Sequence, residues 1–248
     1  MKPNHILLSR TDSIGDVILT LPLAGLLKHH FPGVKITFLG MPYTKDVIES
    51  CIHVDQFLDW SMLRSMNEKE AAELLKSCHA DLIIHVFPRK EIARLAFKAH
   101  IPLRIGASGR LYHWWYCNKP VLLSRKNSHL HEAVLNICLA KPLFDKRIIA
   151  EYREGNPQLL SEFTGIQAPA SAKANITGLI DNKYFNVIIH PKSKGSAREW
   201  GMDNYAYLAG KLSRISPLPG YKPYKIYISG TAEEGSILKE SGFFEKTG

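Results

Sequence analysis

A single stretch decides the fold: Arg10-Thr11-Asp12-Ser13-Ile14-Gly15-Asp16-Val17-Ile18-Leu19-Thr20-Leu21-Pro22, which follows the short apolar run His5–Ser9. The apolar run predicts a buried strand, and the polar turn after it leads into an apolar helical segment. In open α/β sheets, ligands bind at the carboxyl ends of the strands. A glycine there lets the backbone approach a ligand closely, and a carboxylate beside it is held on rigid structure. The stretch therefore predicts a ligand site at the end of the first strand.

The rest of the chain alternates short β-branched runs with longer helical ones, a pattern that favours parallel sheets covered on both faces. The predicted strands are His5–Ser9, Val34–Leu39, Gln56–Leu58, Asp81–Phe87, Phe185–His190 and Tyr224–Ser229. The predicted helices are Val17–His30, Lys45–Glu49, Glu68–Lys76, Glu91–Lys98, Leu130–Leu139, Pro157–Phe163, Asn204–Arg214 and Glu233–Glu240. Pro22 lacks an amide donor, so it should start or kink the first helix.

A stretch of small residues without apolar periodicity, Gly165–Lys173, predicts a boundary between two α/β domains with a cleft between them. We expect an N-terminal Rossmann-like domain over 1–165, a linker region over 166–183 and a C-terminal domain over 184–248. The last domain is smaller than the usual size of about 100 residues. Because a two-stranded sheet is marginal by itself, we expect this domain to be incomplete.

The composition of the 248 residues excludes several classes of protein. A hydrophobic fraction of 45% and a charged fraction of 22% are typical of a soluble globular chain. The four cysteines are widely spaced, which argues against a disulfide framework or zinc site and favours a reducing cytosolic compartment. The apolar segment Val17–Leu27 is too short to span a bilayer and lacks the flanks of a secretory signal. No G-x-G-x-x-G fingerprint occurs, so we predict no nicotinamide or flavin cofactor.

The net charge of +9 is concentrated in one segment. Between Arg89 and Lys126 nine basic residues stand against a single acid, Glu91, and the aromatic run Tyr112–Tyr116 lies among them. This excess indicates an anionic partner, which could be a phosphorylated substrate, an acidic membrane surface or a nucleic acid. The alternative is a solvated basic face that serves only solubility.

Asp16 is the first candidate for chemistry. An ionised carboxylate at the mouth of a cleft can accept a proton from an attacking hydroxyl, which is the task of a general base. The alternative is an aspartate that caps the helix and satisfies its free amides. For Asp12 a turn role is favoured over that of a second catalytic acid.

The second candidate is the loop after the strand Phe185–His190, which is rich in small donors and cations. These groups could together cradle a diphosphate, although the Walker spacing is absent and each lysine alone is typical of a solvated surface. We expect Asp203 to cap the helix that follows. The candidate residues of the loop are Lys192, Ser193, Lys194, Gly195, Ser196 and Arg198.

The remaining candidates are the acids Glu233 and Glu234 and the pair His129 and His131. Carboxylates in the first turn of a helix usually serve the macrodipole, and the alternative is a hydrogen bond to a ribose or sugar hydroxyl. Two histidines at i and i+2 do not share a helical face, so metal ligation by this pair is disfavoured. No D-x-D pair is present either, and we predict a metal-independent site.

These motifs together resemble the heptosyltransferases of glycosyltransferase family 9, which act in the assembly of the bacterial lipopolysaccharide core. The similarity covers essentially the whole chain. The matching pieces, in family order, are Ser13-Ile14-Gly15-Asp16-Val17-Ile18, Thr20-Leu21-Pro22, Pro32-Gly33-Val34-Lys35-Ile36-Thr37-Phe38, Arg104-Ile105-Gly106, His131-Glu132, His190-Pro191 and Arg198-Glu199-Trp200.

The resemblance implies a GT-B fold, in which an acceptor-binding and a nucleotide-sugar-binding Rossmann-like domain face each other across a cleft. It implies an inverting transfer of heptose from an ADP-activated donor, with Asp16 as the base that activates the acceptor hydroxyl. It assigns Lys192, Ser193 and Arg198 to the donor diphosphate and Glu233 to the donor sugar or ribose. The acceptor-binding residues that it indicates are Ser13, Gly15, Arg94, Arg110 and His131.

The implied acceptor is an anionic glycolipid, so the resemblance predicts a cytoplasmic protein in peripheral contact with the inner membrane. One family motif, Asp-[Ser/Thr]-Gly-x-x-His, is absent from the sequence. The alternative function is therefore a truncated, non-catalytic module that binds an acidic glycolipid or membrane surface through residues 89–126. Nucleic-acid binding by the aromatic and basic residues is a third possibility, and the absence of a nucleic-acid motif argues against it.

Overall fold

The structure is a computed structural model that describes residues 2–125, 128–145, 147, 149–150, 157–169, 178–193, 198–215 and 220–247. The chain forms two compact units, Met1–Ala168 and Pro169–Gly248. Each unit has its own parallel sheet.

The first unit contains a six-stranded parallel sheet with the strand order β3-β2-β1-β4-β5-β6. The order reverses between β1 and β4, and in doubly wound sheets the crevice at such a reversal is the usual place for a ligand. The strands are β1 His5–Ser9, β2 Lys35–Gly40, β3 Gln56–Asp59, β4 Leu82–His85, β5 Leu103–Ala107 and β6 Lys119–Val121.

Helices connect these strands and cover the sheet. They are α1 Ile14–Ile18, α2 Leu21–His30, α3 Lys45–Glu49, α4 Trp60–Ser65, α5 Glu68–Ser77, α6 Lys90–Lys98, α7 Leu111–Tyr116, α8 Glu132–Cys138 and α9 Pro157–Thr164, with short 3₁₀ turns at Pro42–Thr44 and Lys141–Leu143.

Strand β1 lies at the centre of the sheet and is buried along its whole length. Its side chains alternate between the two faces, as the period of a strand requires. Ile6 and Leu8 join one hydrophobic cluster, and Leu7 joins the cluster on the opposite face. Both faces of the strand are therefore covered by apolar groups, which explains why its sequence is a continuous apolar run.

Two strands of this sheet, β5 and β6, were not predicted from the sequence. Strand β5 carries Arg104 and Gly106, and β6 has only three residues, one of which is Pro120. Neither segment shows the continuous apolar run that marked the other strands, and proline is tolerated at the edge position that β6 occupies.

The predicted helix Val17–His30 is two helices, α1 and α2. The chain leaves the first helix at Leu19 and starts the second with Thr20 as its N-cap residue. Pro22 lies in the first turn of α2, so the prediction that it starts a helix is confirmed.

The second unit is built around two parallel strands, β7 Phe185–Ile189 and β8 Tyr224–Ile228. Its helices are α10 Met202–Arg214, α11 Ala232–Glu240 and α12 Phe243–Thr247. Its described buried cluster is small and consists of Ala206, Leu238 and Phe243. The prediction that Asp203 caps α10 is wrong: Gly201 takes the cap position with a positive φ of 100°, and Asp203 lies inside the first turn.

Within the described part of the chain, none of the helices combines the length and the apolar character that crossing a membrane requires.

Candidate functional site

The loop after β1 brings Asp16 into the first turn of α1. Ser13 is the N-cap residue, and its hydroxyl accepts a hydrogen bond from the Asp16 amide at 3.3 Å. The same hydroxyl donates to Asp16 Oδ2 at 2.6 Å. Because Ser13 caps the helix, the capping explanation for Asp16 is wrong. The carboxylate of Asp16 instead lies in the first turn of α1, where it accepts a hydrogen bond from the capping residue and faces the positive end of the helix.

Gly15 lies beside Asp16 on the exposed side of the same turn. A Cβ atom placed on Gly15 would have only Ser13 Oγ nearby, at 3.9 Å. Nothing within the described protein requires a glycine at this position. The space in front of the turn is open, as close approach of a ligand would need.

Arg10 holds the acidic side chains of this region together. Its guanidinium forms two hydrogen bonds to Asp12, at 2.7 and 2.9 Å, and its Nη2 lies 2.7 Å from Asp16 Oδ1. Its Nη1 reaches Glu132 Oε1 at 3.1 Å. The arginine side chain is only 5% exposed, whereas that of Asp16 is 36% exposed. A buried cation thus fixes a carboxylate that reaches the surface, with one Asp16 oxygen on Arg10 and the other on Ser13.

Helix α8 supplies a second layer to this cluster. Glu132 also pairs with Arg125, and Asn136 accepts a hydrogen bond from Arg125 Nη2 at 3.0 Å. The amide of Asn136 donates to the carbonyl of Leu19 at 2.8 Å, at the end of α1. We call these residues, Arg10, Asp12, Asp16, Arg125, Glu132 and Asn136, the Arg10 cluster.

The cluster lies at the reversal of the strand order. Arg89, which follows β4, donates from Nε to the Thr11 hydroxyl at 2.5 Å and from Nη2 to the Thr11 carbonyl at 3.2 Å. Tyr43 donates to the carbonyl of Asp12 at 2.5 Å. The loops after β1 and β4 are therefore tied to each other at the carboxyl ends of these neighbouring strands, as the strand order predicts for a ligand site.

Burial and charge act in opposite directions within the cluster. Burial opposes the charged form of Arg10, but the hydrogen bonds and charges of Asp12, Asp16 and Glu132 outweigh it and raise the pKa of Arg10. Burial also raises the pKa of Asp12, and its bonds to Arg10 offset this only in part. Arg10 therefore stays charged and supplies a fixed positive field beside Asp16. Among the residues that the structure describes, no group of three or more His, Cys, Asp and Glu side chains could hold a metal ion.

Of the predicted acceptor residues, Ser13 and Gly15 lie at the Arg10 cluster, and His131 lies next to it. His131 is exposed and caps α8, where its Nδ1 accepts a hydrogen bond from the Ala133 amide at 3.3 Å. Arg94 is placed elsewhere, on α6, where its Nε lies 2.6 Å from Glu68 Oε1. Arg110 is exposed immediately before α7. The structure therefore brings two of the five candidates onto the turn that carries Asp16.

Several cations of the basic segment 89–126 form ion pairs or hydrogen bonds within the protein, so the segment exposes less unpaired positive charge than its sequence indicates. Arg94 and Lys98 both pair with Glu68, and Arg125 pairs with Glu132. Arg104 donates to the backbone carbonyls of Tyr116 and Ile101. The acids that neutralise these arginines and lysines come from outside residues 89–126, so a count confined to the segment misses them. Lys126 lies outside the described residues.

In the second unit, Lys192 and Ser193 converge on the carboxylate of Glu199. Lys192 Nζ lies 2.7 Å from Glu199 Oε2, the Ser193 amide donates to Oε1 at 2.9 Å, and the Ser193 hydroxyl lies 3.2 Å from it. The hydrogen bond from Lys192 is the main reason that the pKa of Glu199 is lowered. The donors that the sequence assigned to a diphosphate therefore contact a carboxylate of the same loop, and their assignment to a diphosphate stays a prediction. Lys194, Gly195 and Ser196 lie outside the described residues, and Arg198 is exposed.

The acids of α11 have separate roles. Glu234 is buried and closes a capping box with Thr231, whose amide donates to Glu234 Oε2 at 2.7 Å. Glu233 is exposed in the same first turn. The carboxyl ends of strands β7 and β8 lie side by side at this edge of the sheet. There His190 Nδ1 donates a hydrogen bond to the Ser229 carbonyl at 3.0 Å. The loop of Lys192 and the turn of Glu233 therefore follow neighbouring strands of one parallel sheet.

Sequence reasoning missed the residues that support Asp16. Arg10 lies inside the stretch that decides the fold, but no local pattern distinguishes it from a solvated arginine, and by sequence Arg125 is only one cation of the basic segment. Asn136 carried no signal, because its partners Leu19 and Arg125 lie far from it or across a helix boundary. Glu132 belongs to the His131-Glu132 match with the family, and it is the sequence feature that points to α8 as part of this site.

The fold class is established by comparison with solved structures. The architecture is that of a glycosyltransferase family 9 structure from Veillonella parvula, with a TM-score of 0.71, 18% identity and coverage of 96% of this chain and 66% of that one. Escherichia coli ADP-heptose lipopolysaccharide heptosyltransferase II shares it with a TM-score of 0.70, 18% identity and coverage of 95% and 67%. The E. coli heptosyltransferase WaaC with ADP follows, with a TM-score of 0.61, 17% identity and coverage of 96% and 71%. The α/β fold that the resemblance implied is confirmed.

Among curated proteins, the chain is 26% identical over 204 residues to a Haemophilus influenzae protein that is provisionally named a glycosyltransferase. The alignment covers 82% of this chain and 58% of that protein, so the chain spans less than two thirds of the relative's length. No protein-family model matches the sequence.

Proposed function

We propose that this chain is a glycosyltransferase of the inverting type, which moves a heptose or related sugar from an ADP-activated donor to a hydroxyl of an anionic, lipopolysaccharide-core-type acceptor. The observation that carries the proposal is the environment of Asp16. Its carboxylate is held by Arg10 and Ser13 at the carboxyl end of β1, where the strand order reverses, and it reaches the surface in front of Gly15.

Asp16 is the catalytic base in this proposal. The acceptor hydroxyl gives its proton to the Asp16 carboxylate, and its oxygen attacks the anomeric carbon of the sugar. The bond between that carbon and the diphosphate oxygen breaks, and ADP leaves with the electron pair. Attack from the face opposite the leaving group inverts the configuration at the anomeric carbon.

The second unit binds the donor in this proposal. The donor diphosphate takes the place of the Glu199 carboxylate at Lys192 Nζ and the Ser193 donors, with Arg198 as a further cation. We expect stabilisation of the charge on the leaving group to lower the barrier to transfer more than any other interaction. Glu233 then contacts the ribose or the sugar. Solved heptosyltransferases that share the fold hold ADP or an ADP-2-deoxy-2-fluoro heptose, which supports a nucleotide-sugar donor.

The acceptor side of the proposal involves Ser13, Gly15 and His131, which lie at or beside the Arg10 cluster. Arg94 and Arg110 remain proposed contacts to the anionic groups of the acceptor, and Arg94 would then share its charge with Glu68. Because the acceptor is a glycolipid, we also propose a cytoplasmic protein in peripheral contact with the inner membrane.

The direct test is incubation of the chain with ADP-heptose and a heptose-accepting core glycolipid. We expect release of ADP together with a glycosylated product whose new anomeric centre is inverted, as measured by mass spectrometry and NMR. Retention of configuration would contradict the assignment of Asp16 as a base that activates the acceptor. A chain that binds both ADP and glycolipid but transfers no sugar would instead be a binding module.

A further inference from the structure

Helix α7 presents apolar side chains to solvent instead of to the core. Leu111, Trp114 and Trp115 are 76%, 62% and 72% exposed. Their spacing of three and four residues places them on one side of the helix, which we call the α7 face. Single exposed apolar residues are ordinary, whereas a group of large ones on one face indicates an interaction surface.

The opposite side of this helix is anchored in the first unit. His113 is fully buried, and its Nδ1 donates to the carbonyl of Ala107 at 2.8 Å. Gly106 permits this close packing, because a Cβ atom there would lie 2.7 Å from His113 Nδ1. On the α7 face itself, the Trp114 side chain is fixed by its Nε1, which donates to the Ser108 carbonyl at 3.0 Å. The α7 face is therefore held outward by specific contacts.

The surroundings of the α7 face are positively charged. Arg110 precedes the helix and Lys119 follows it, and both are exposed. Between Glu91 and Glu132 the sequence contains no Asp or Glu. Glu91 on α6 is an acid near this helix, because its charge acts on Tyr112, where the charges of Arg89 and Arg110 oppose it. Cations therefore outnumber acids around the α7 face, which favours the approach of a negatively charged surface.

We propose that the α7 face docks on an anionic lipid bilayer. Tryptophan is the residue that best fits the boundary between headgroups and hydrocarbon, and basic residues beside it are attracted to anionic lipids. Leu111 favours a bilayer over a nucleic acid, because an aliphatic side chain gains from immersion in hydrocarbon and offers no surface on which a base can stack. This inference rests on the peripheral membrane contact of the proposed function and names the surface that makes it, whereas the transfer reaction plays no part in its test.

The test is cosedimentation of the full chain with vesicles, in the absence of any sugar donor. We compare phosphatidylcholine alone with a mixture of phosphatidylcholine and phosphatidylglycerol, each at low and at high salt. The chain should bind the mixed vesicles, and high salt should weaken the binding. The double variant Leu111→Ser with Trp115→Ser should bind about tenfold more weakly, because it loses apolar burial. The variant Lys119→Gln should lose about fivefold and show a smaller salt effect.

A matched control is Tyr207→Ser with Tyr221→Ser, which removes two aromatic side chains of similar exposure from the second unit. This control should bind vesicles as the unchanged chain does. Equal binding by the Leu111 and Trp115 double variant, or binding that needs no anionic lipid, would overturn the proposal. Preferential binding of a labelled oligonucleotide through the same two residues would overturn it as well.

A second measurement keeps the proposal testable should the double variant fail to fold. Brominated lipids quench tryptophan side chains that enter the bilayer, and Trp200→Phe removes the exposed tryptophan of the second unit from the background. The Trp200→Phe chain should be quenched by brominated mixed vesicles. No quenching of vesicle-bound chain would contradict immersion of the α7 face.

Discussion

The Arg10 cluster of the first unit and the Lys192 loop of the second unit both place charged groups beyond the end of a parallel strand, yet they are built differently. Arg10 is buried and contacts Glu132, 122 residues further along the chain. Lys192 and Ser193 bond only seven and six residues away, to a partly exposed Glu199. The first site is fixed by the tertiary fold, whereas the second is fixed locally.

This difference suits the two proposed tasks. A general base must be held at one position relative to the attacking hydroxyl, and a buried arginine that several elements surround provides such a position. Groups that receive and release a diphosphate can exchange one anion for another. Glu199, which already binds Lys192 and Ser193, is an anion that a phosphate could replace.

The largest effect expected from the comparison is on stability. Arg10→Met should lower the free energy of unfolding of the first unit by about 3–5 kcal/mol, because it leaves the partly buried carboxylates of Asp12 and Asp16 without their cation. Lys192→Met removes a more exposed pair and should cost the second unit less than about 1 kcal/mol. Urea titrations followed by amide exchange in β1 and β7 measure both losses. Equal losses would break the comparison, and Arg64→Met at an exposed position of α4 is the matched control.

The first unit should also lose stability in acid. His85 is fully buried at the end of β4, and burial, followed by the charges of His113 and Arg104, lowers its pKa to about 3. In the unfolded chain a histidine binds a proton near pH 6.5, so below that pH the unfolded state takes up more protons. The stability that neutral, buried His85 contributes is therefore complete above pH 6.5. On acidification from pH 6.5 towards the folded pKa of about 3, the free energy of unfolding falls by up to about 1.4 kcal/mol per pH unit. Unfolding measured at several pH values should show this slope, and His85→Gln should reduce it; an unchanged slope in that variant would exclude His85 as its source.

Gly15→Ala separates the needs of the fold from those of a ligand. Alanine in the first turn of α1 should raise stability by about 0.5 kcal/mol, because nothing described near Gly15 obstructs a methyl group. The same methyl group should lower kcat/KM for transfer by about tenfold, since small displacements of a bound reactant are costly. Thermal unfolding and steady-state kinetics test the two halves. Full activity in a stabilised variant would show that no ligand approaches this turn.

Glu199→Gln tests whether a carboxylate competes with phosphate in the second unit. Removal of its charge should tighten ADP binding, because the phosphate no longer competes with a carboxylate for Lys192. The gain should be only about threefold, since partly exposed ion pairs contribute little free energy. Calorimetric titration with ADP measures the change. Weaker binding would indicate that Glu199 organises the loop for the donor instead of occupying its place.

The sequence predicted those parts of the fold that depend on local patterns. The strand His5–Ser9 and the turn to Asp16 could be predicted from sequence. A strand that is buried on both faces requires continuous apolar residues, and a loop requires polar ones. Strand β6 could not be predicted from sequence, because an edge strand of three residues is too short to show a hydrophobic pattern. The pairing of Arg10 with Glu132, and of Arg94 with Glu68, depends on which helices the sheet brings together, and no local pattern encodes this.

The central claim is that the Asp16 carboxylate accepts the proton of the acceptor hydroxyl, and it is tested most directly by the kinetics of Asp16→Asn. The substitution keeps the size of the side chain, and Arg10 retains Asp12 and Glu132, so the chain should fold. We predict that kcat for sugar transfer falls by about 10²–10⁴-fold while the Kd for ADP is unchanged. Transfer at the rate of the unchanged chain would contradict the claim.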